Sequence, residues 1–204
     1  MLLVAVIVVL SAALVFVAAF WEPVPPQAAA RNQTFGQLTK AVTPTGGEFT
    51  LQGPQGTVAL RDYRGKVVLL YFGYSYCPDV CPTSLSLMAQ ALAELEPAER
   101  ERVQAIFISV DPERDTPDRL KEYAHFFHPG IIGLSGTSEQ IAAVAEQYGS
   151  SYQKKKPNGE GLYAIDHSSA TYVIGPKGQL ASSLPHASPA SQIVAATRQQ
   201  LAAW

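Results

Sequence analysis

Apolar side chains dominate the first part of the 204-residue chain. Residues 1–20 contain no charged side chain and one polar side chain, Ser11. A helix of this length spans roughly 30 Å, about the thickness of a bilayer's hydrocarbon core. Trp21 follows at the position where interfacial aromatic residues are enriched. The pattern predicts a transmembrane anchor over residues 1–21, with a signal peptide cleaved near Ala28–Ala30 as the open alternative.

The next segment, residues 22–46, has a different composition. It contains four prolines and a run of three alanines, and it ends close to a Gly-Gly pair. Proline-rich segments of this kind are extended and semi-rigid. We therefore predict a tether over residues 22–46 and a folded domain over residues 47–204.

Two runs inside this domain are almost continuously apolar, Val67–Phe72 and Ala105–Val110. Runs of this length are typical of strands that are covered on both faces. Before them, Phe49–Gln52 and Thr57–Leu60 flank a Gly-Pro-Gln-Gly turn and predict a hairpin.

Helical patterns alternate with these strands. One apolar stripe follows the first buried strand at a spacing of three or four residues and consists of Leu85, Met88, Leu92 and Leu95. Thr116 before Pro117 is a typical helix start, and Thr137 with Gln140 fits a capping box.

The C-terminal part of the chain predicts a further hairpin and a last helix. Thr171–Ile174 and residues 179–184 flank a Gly-Pro-Lys-Gly turn, and Ser188 precedes a helical stretch. Together with a short strand candidate at Ile131–Leu134, this order predicts an α/β fold: a thioredoxin-like mixed sheet flanked by helices.

Charge and cysteine content narrow the possible functions. A formal net charge of −2 argues against a nucleic-acid partner. The chain has two cysteines, Cys77 and Cys81, in one short motif, so they form one site rather than a general disulfide framework.

The cysteine motif joins the first buried strand to the following helix, where sites of open α/β sheets gather. We expect the helix to begin near Pro78, so that Cys77 lies at its N-terminus and Cys81 about a turn further on. Four interpretations remain open at this point: two inert buried thiols, a structural disulfide, a redox-active pair, and two ligands of a metal site.

A metal site needs a third ligand, and the chain offers four histidines. His125 and His128 lie at a predicted helix end, where an interaction with the helix dipole is the simpler role. His186 lies in a loop and is expected to be exposed. His167 precedes the strand Thr171–Ile174, on the segment that faces the cysteine turn in a thioredoxin fold, and is our candidate ligand.

Two thiolates and one imidazole favour copper. A closed structural zinc site normally takes four protein ligands. Soft thiolates with one nitrogen suit Cu(I), and the same set can hold Cu(II) with an additional ligand. The predicted cofactor is therefore a copper ion in an open site that can release it by ligand exchange.

Three segments, residues 73–82, 110–117 and 166–174, together resemble the Sco/SenC family of copper proteins. The first reads Gly-Tyr-Ser-Tyr-Cys-Pro-Asp-Val-Cys-Pro, the second Val-Asp-Pro-Glu-Arg-Asp-Thr-Pro and the third begins Asp-His-Ser-Ser. The resemblance implies that Cys77, Cys81 and His167 are the copper ligands. It also implies a role in assembly of cytochrome c oxidase, either delivering copper to the dinuclear site of subunit II or reducing the cysteines of that site.

Two functional hypotheses follow from this resemblance. A metallochaperone, which we favour, requires His167 as a ligand, whereas a thiol-disulfide oxidoreductase with Cys77 and Cys81 as its catalytic pair does not. A peroxidase is a weaker third option. The partner that the resemblance implies is subunit II, and another copper donor protein is a further candidate. Because no Arg-rich presequence is present, we expect a single-pass protein of the bacterial inner membrane with its domain in the periplasm.

Acidic residues also lie in or near these motifs. Asp115 and Thr116 are interpreted as helix caps. Asp111 is a candidate support for a ligand, and Asp79 either bonds a ligand or caps the helix.

Overall fold

The computed structural model describes residues 44–157, 159 and 162–204. The predicted anchor over residues 1–21 and the tether up to residue 43 lie outside the described residues. Among the described residues, no helix combines the length and the apolar character needed to cross a membrane.

The described chain alternates strands and helices from residue 50 onwards. In chain order the elements are β1 (Thr50–Gly53), β2 (Gly56–Ala59), a 3-10 helix (Leu60–Tyr63), β3 (Val67–Gly73), α1 (Val80–Glu94), α2 (Pro97–Arg100), β4 (Val103–Ser109), α3 (Pro117–Phe127), β5 (Ile131–Leu134), α4 (Ser138–Gln147), β6 (Tyr152–Lys154), β7 (Ile165–His167), β8 (Thr171–Ile174), β9 (Leu180–Leu184) and α5 (Ala190–Ala202).

A mixed five-stranded sheet with the order β5-β4-β3-β8-β9 forms the centre of the fold. Strand β3 runs parallel to β4 and antiparallel to β8, while β4 and β5 are parallel. Every residue of β3 is buried, as its continuous apolar run predicted. The predicted mixed sheet flanked by helices is confirmed, and β1-β2 and β6-β7 form two further small sheets.

The parallel strands β3 and β4 end side by side. Gly73 is paired with Ser109, and the N–H of Val110 donates to the carbonyl of Gly73 at 2.7 Å. Strand β8 is antiparallel to β3 and begins at this same edge, because Thr171 pairs with Tyr71. The segments after β3 and β4 and the segment before β8 therefore meet at one edge of the sheet.

Helix α1 begins later than the sequence predicted. It starts at Val80 instead of Pro78, so Cys77 precedes the helix by three residues. Pro82 lies in the first turn of α1, where backbone N–H groups have no partner within the helix and a proline is tolerated. The Asp79 side chain makes no capping hydrogen bond, so its proposed cap role is not realised.

Two further predicted helix starts, at Thr116 and Thr137, are confirmed. The Thr116 hydroxyl accepts a hydrogen bond from the N–H of Arg119 at 3.3 Å. Thr137 and Gln140 form the reciprocal capping box, with distances of 3.2 and 2.9 Å. These side chains satisfy N–H groups that the first helical turn leaves free.

Strand β6 (Tyr152–Lys154), which pairs antiparallel with β7, was not predicted from the sequence. It has three residues and presents no alternation of apolar and polar positions that would indicate a strand. This pairing matters for function, since Tyr152 is opposite His167.

Candidate metal centre

Three predicted site residues meet at the edge where β3 ends. Cys77 lies in the loop after β3, Cys81 in the first turn of α1, and His167 at the end of β7. One potential ligand atom from each residue lies within 4.8 Å of the other two. Sγ of Cys81 is 3.2 Å from Nε2 of His167. Both cysteines are buried free thiols, so the geometry can hold a metal ion.

The other histidines lie elsewhere. His125 is exposed in the last turn of α3. His128 follows that helix, and its Nδ1 accepts a hydrogen bond from the N–H of Gly130 at 2.9 Å. Nδ1 of His186 is 3.3 Å from the hydroxyl of Ser84. Among the described residues, only His167 is brought to the cysteines.

Hydrogen bonding orients the imidazole of His167. Its Nδ1 is 2.9 Å from the backbone carbonyl of Ser168. Because a carbonyl can only accept, Nδ1 carries a proton and donates it there. Nε2, which faces Cys81, is then the ring nitrogen that can bind a metal.

Two tyrosines enclose the same imidazole. The ring of Tyr71 is 6.2 Å from the His167 ring, and that of Tyr74 is 5.7 Å away, both between centroids. Each pair is close to perpendicular, with an interplanar angle of 87°. Both tyrosines are buried, so they limit the access of water to the site.

The two cysteines have opposite protonation preferences. A hydrogen bond from the Cys81 thiol, helped by His167 and by the backbone N–H groups of Asp79 and Cys81, lowers the pKa of Cys77 to about 3, although burial opposes the change. The same hydrogen bond to Cys77 and its own burial raise the pKa of Cys81. Without metal, the pair therefore consists of a Cys77 thiolate and a Cys81 thiol.

Gly73 makes room for the sulfur of Cys81. A Cβ atom added at Gly73 would lie 2.6 Å from Sγ of Cys81 and 2.9 Å from Cε2 of Phe107, both too close for real contacts. This is a close approach that glycine permits. This role of Gly73 could not be predicted, because nothing in the local sequence pattern shows which side chain lies against residue 73.

Asp115 holds the cysteine loop, contrary to its predicted capping role. Its carboxylate is buried and accepts hydrogen bonds from the N–H and hydroxyl of Ser75 at 2.9 and 2.5 Å, and from the hydroxyl of Ser109 at 2.6 Å. Thr116 performs the capping instead. Asp115 thus ties the loop two residues before Cys77 to the end of β4.

Asp111 supports the other side of the site. Its buried carboxylate accepts hydrogen bonds from Nε of Arg114 and from the hydroxyl of Tyr163, the latter at 2.7 Å. Tyr163 lies four residues before His167. Asp111 therefore acts on the segment that leads to the histidine, as its predicted supporting role implies.

A surface cavity of about 350 Å³ lies beside the cysteine loop. Its lining combines aromatic and basic side chains from the loop and from the segments next to β6 and β7: Tyr74, Tyr76, Pro78, Lys155, Lys156, Leu162, Tyr163 and Ala164.

Comparison with known proteins adds an independent line of evidence. The family model described as SCO1/SenC matches residues 38–202. The protein SCO2 homolog, mitochondrial, of Bos taurus is 39% identical over 160 residues, which are 78% of this chain. The chain spans 60% of the length of that bovine protein.

Solved structures agree with this comparison. The structure of Bradyrhizobium japonicum ScoI with copper bound has a TM-score of 0.70 at 38% identity, and the match covers 76% of this chain and 99% of that one. BsSco, described as a member of the Sco family of cytochrome c oxidase assembly proteins with a disulfide switch, has a TM-score of 0.62 at 26% identity, covering 81% and 98% of the two chains. Because the family model spans most of the described domain, the chain belongs to the SCO1/SenC family.

Proposed function

We propose that this protein binds one copper ion through Sγ of Cys77, Sγ of Cys81 and Nε2 of His167, and passes it on during assembly of cytochrome c oxidase. The acceptor in this proposal is the dinuclear copper site of subunit II. The observation that carries the proposal is the convergence of the three ligand atoms within 4.8 Å of one another, with both thiols free. The copper-bound relative supports the identity of the metal.

The donor set fits copper better than zinc. Two thiolates and one imidazole are a soft set that suits Cu(I), whereas closed zinc sites normally have four protein ligands. The metal-binding group found among the described residues contains three members and no fourth. A three-ligand site leaves room for a ligand from the acceptor, so that copper can be transferred by exchange of one ligand at a time.

Proton release accompanies binding in this proposal. The low pKa of Cys77 provides one thiolate in advance, while Cys81 must lose its proton when the metal binds. Since a thiolate is the form that binds metal, affinity falls as the pH decreases.

The arrangement in the cell is part of the same proposal. Residues 1–21 form a single membrane span, residues 22–46 a tether, and residues 47–204 the domain, which lies in the bacterial periplasm. The apolar run and the proline-rich segment support this arrangement. A second copper donor protein loads the site.

The opposite protonation of the two cysteines favours a second candidate function, reduction of the cysteines of the subunit II site. The Cys77 thiolate attacks one sulfur of the partner disulfide, and the other partner sulfur leaves as a thiolate that takes up a proton. Cys81 then loses its proton and attacks Sγ of Cys77. The second partner thiolate leaves, and two electrons have passed to the partner as the Cys77–Cys81 disulfide forms. The disulfide switch reported for BsSco supports this candidate.

Copper retention by the reduced full-length protein tests the first proposal. Wild type, His167→Ala and the matched control His125→Ala are loaded with Cu(I) and dialysed against a competing chelator. We expect one copper per chain in wild type and in the control, and its loss in His167→Ala. If wild type and His167→Ala both lose copper while Cys77 still exchanges with a model disulfide, the oxidoreductase replaces the chaperone.

A further inference from the structure

The guanidinium group of Arg114 lies between the two segments that carry the candidate ligands. It is 3.6 Å from the ring centroid of Tyr163, on the segment leading into β7. It is also 4.7 Å from the ring centroid of Tyr76 and 5.6 Å from that of Tyr74, both on the cysteine loop. One side chain from the loop after β4 therefore contacts both segments.

Hydrogen bonds fix this arrangement. Nη1 of Arg114 donates to the backbone carbonyl of Tyr163 at 2.9 Å, and Nε donates to Asp111. The Tyr163 hydroxyl donates to the same Asp111 carboxylate at 2.7 Å. Arg114 and Asp111 together hold Tyr163 by its backbone, its ring and its hydroxyl.

The segment that these contacts hold lies outside the central sheet. Strands β6 and β7 form a separate two-stranded sheet and pair with none of the five central strands. Isolated two-stranded sheets are marginally stable by themselves. His167 lies at the end of β7, four residues after Tyr163. The distance from His167 to the cysteines thus depends on what holds this small sheet in place.

We propose that Arg114 is a positioning residue for the metal centre: it fixes the β6-β7 sheet against the cysteine loop and thereby keeps Nε2 of His167 within reach of both sulfurs. The inference rests on the proposed copper function. The planar guanidinium makes two hydrogen bonds while it stacks on an aromatic ring, which a lysine ammonium cannot do. The effect is transmitted through His167, because the Arg114 guanidinium contacts Tyr163, four residues before His167.

Copper(I) affinity, measured by competition with a chromophoric chelator, tests this role in the full-length reduced protein. The effect of Arg114→Met is measured twice, once in the protein that has His167 and once in the His167→Ala variant. Residues that orient metal ligands typically contribute about 10–100-fold to affinity. We expect a loss of this size with His167 present and no further loss in His167→Ala. Arg114→Lys should show most of the same loss of copper affinity.

The matched control is Lys154→Met. Nζ of Lys154 lies 3.9 Å from the same Tyr163 ring centroid and forms an exposed ion pair with Glu113 at 2.6 Å. Its removal deletes a positive charge beside Tyr163 and an exposed ion pair that contributes little, while the contacts of Arg114 with the cysteine loop remain. We expect unchanged copper affinity. The inference would be overturned if Arg114→Met left copper affinity unchanged, or if it lowered affinity equally with His167 and with His167→Ala. It would also be overturned if Arg114→Lys bound copper as tightly as wild type.

A measurement without copper separates this inference from the proposed function. Amide hydrogen exchange in β7 of the metal-free protein should be faster in Arg114→Met than in wild type or Lys154→Met, while exchange in β3 stays unchanged. Unchanged exchange in β7 contradicts the inference whatever the protein binds. Failure of wild type to retain copper, with faster exchange in Arg114→Met, contradicts the proposed function alone.

Discussion

The hydroxyl of Tyr74 accepts a hydrogen bond from the backbone N–H of Ile165 at 3.3 Å, and both residues are buried. This contact joins the cysteine loop to the strand that ends at His167. Tyr74→Phe leaves the N–H of Ile165 buried without a partner, which costs about 1–3 kcal/mol. Urea unfolding should show this loss of stability. Tyr76→Phe, at an exposed ring, should leave the urea midpoint unchanged, and an equal shift in both variants would contradict the assignment.

Replacing Asp115 should loosen the cysteine loop. In Asp115→Asn, the side chain can no longer accept hydrogen bonds with both oxygens from Ser75 and Ser109. Hydrogen bonds to charged groups contribute about 1.5–3 kcal/mol, so we expect a decrease of this size in the free energy of unfolding. Chemical denaturation measures it. Asp118→Asn, at an exposed position on α3, is the control and should change stability by less than about 1 kcal/mol.

A methyl group at position 73 should displace the sulfur of Cys81. Gly73→Ala places a Cβ 2.6 Å from that sulfur, and overpacking of this kind costs about 1–3 kcal/mol. We expect lower stability and weaker copper retention. Gly159→Ala is the control, because an added Cβ there meets no atom within 4 Å. Wild-type copper retention in Gly73→Ala would show that the sulfur can move without loss of function.

The pH dependence of alkylation should distinguish the two cysteines. The thiolate is the reactive form, and the pKa of Cys77 is lowered to about 3, so its alkylation by iodoacetamide should persist as the pH falls from 8 to 4. Cys81 has a raised pKa and should stay unreactive over the same range. Mass spectrometry of the modified peptides measures both rates.

The denatured protein provides the reference for this experiment. Both unfolded thiols should titrate near pH 8.5, so their alkylation should stop well above pH 4. If Cys77 in the folded protein loses its reactivity below pH 7, the Cys77 thiolate is not stabilised as described.

The central sheet was predictable because its signals are local. The apolar runs of β3 and β4 are continuous, since neighbouring elements cover both faces of these strands. The threonine caps at residues 116 and 137 were also visible in the sequence, because a cap and its partner are three residues apart.

The candidate site was only partly predictable. Cys77 and Cys81 are neighbours in the chain, and His167 could be placed by the expected topology. The residues around them could not. Asp115 acts on a residue 40 positions away, and Arg114 contacts the carbonyl of a residue 49 positions away. Contacts of this kind depend on how the chain is folded and have no local pattern.

Because the ligands are far apart in sequence, the metal-bound protein is more stable than the metal-free protein. Cys81 and His167 are 86 positions apart. A metal ion bound to both is a reversible cross-link, and closing a loop of that size removes chain entropy from the unfolded state equivalent to about 4–5 kcal/mol. Release of the ion opens this cross-link, and the metal-free protein is then the form that heat and proteases unfold first. If the protein delivers copper as proposed, each delivery leaves it at its least stable until it binds copper again.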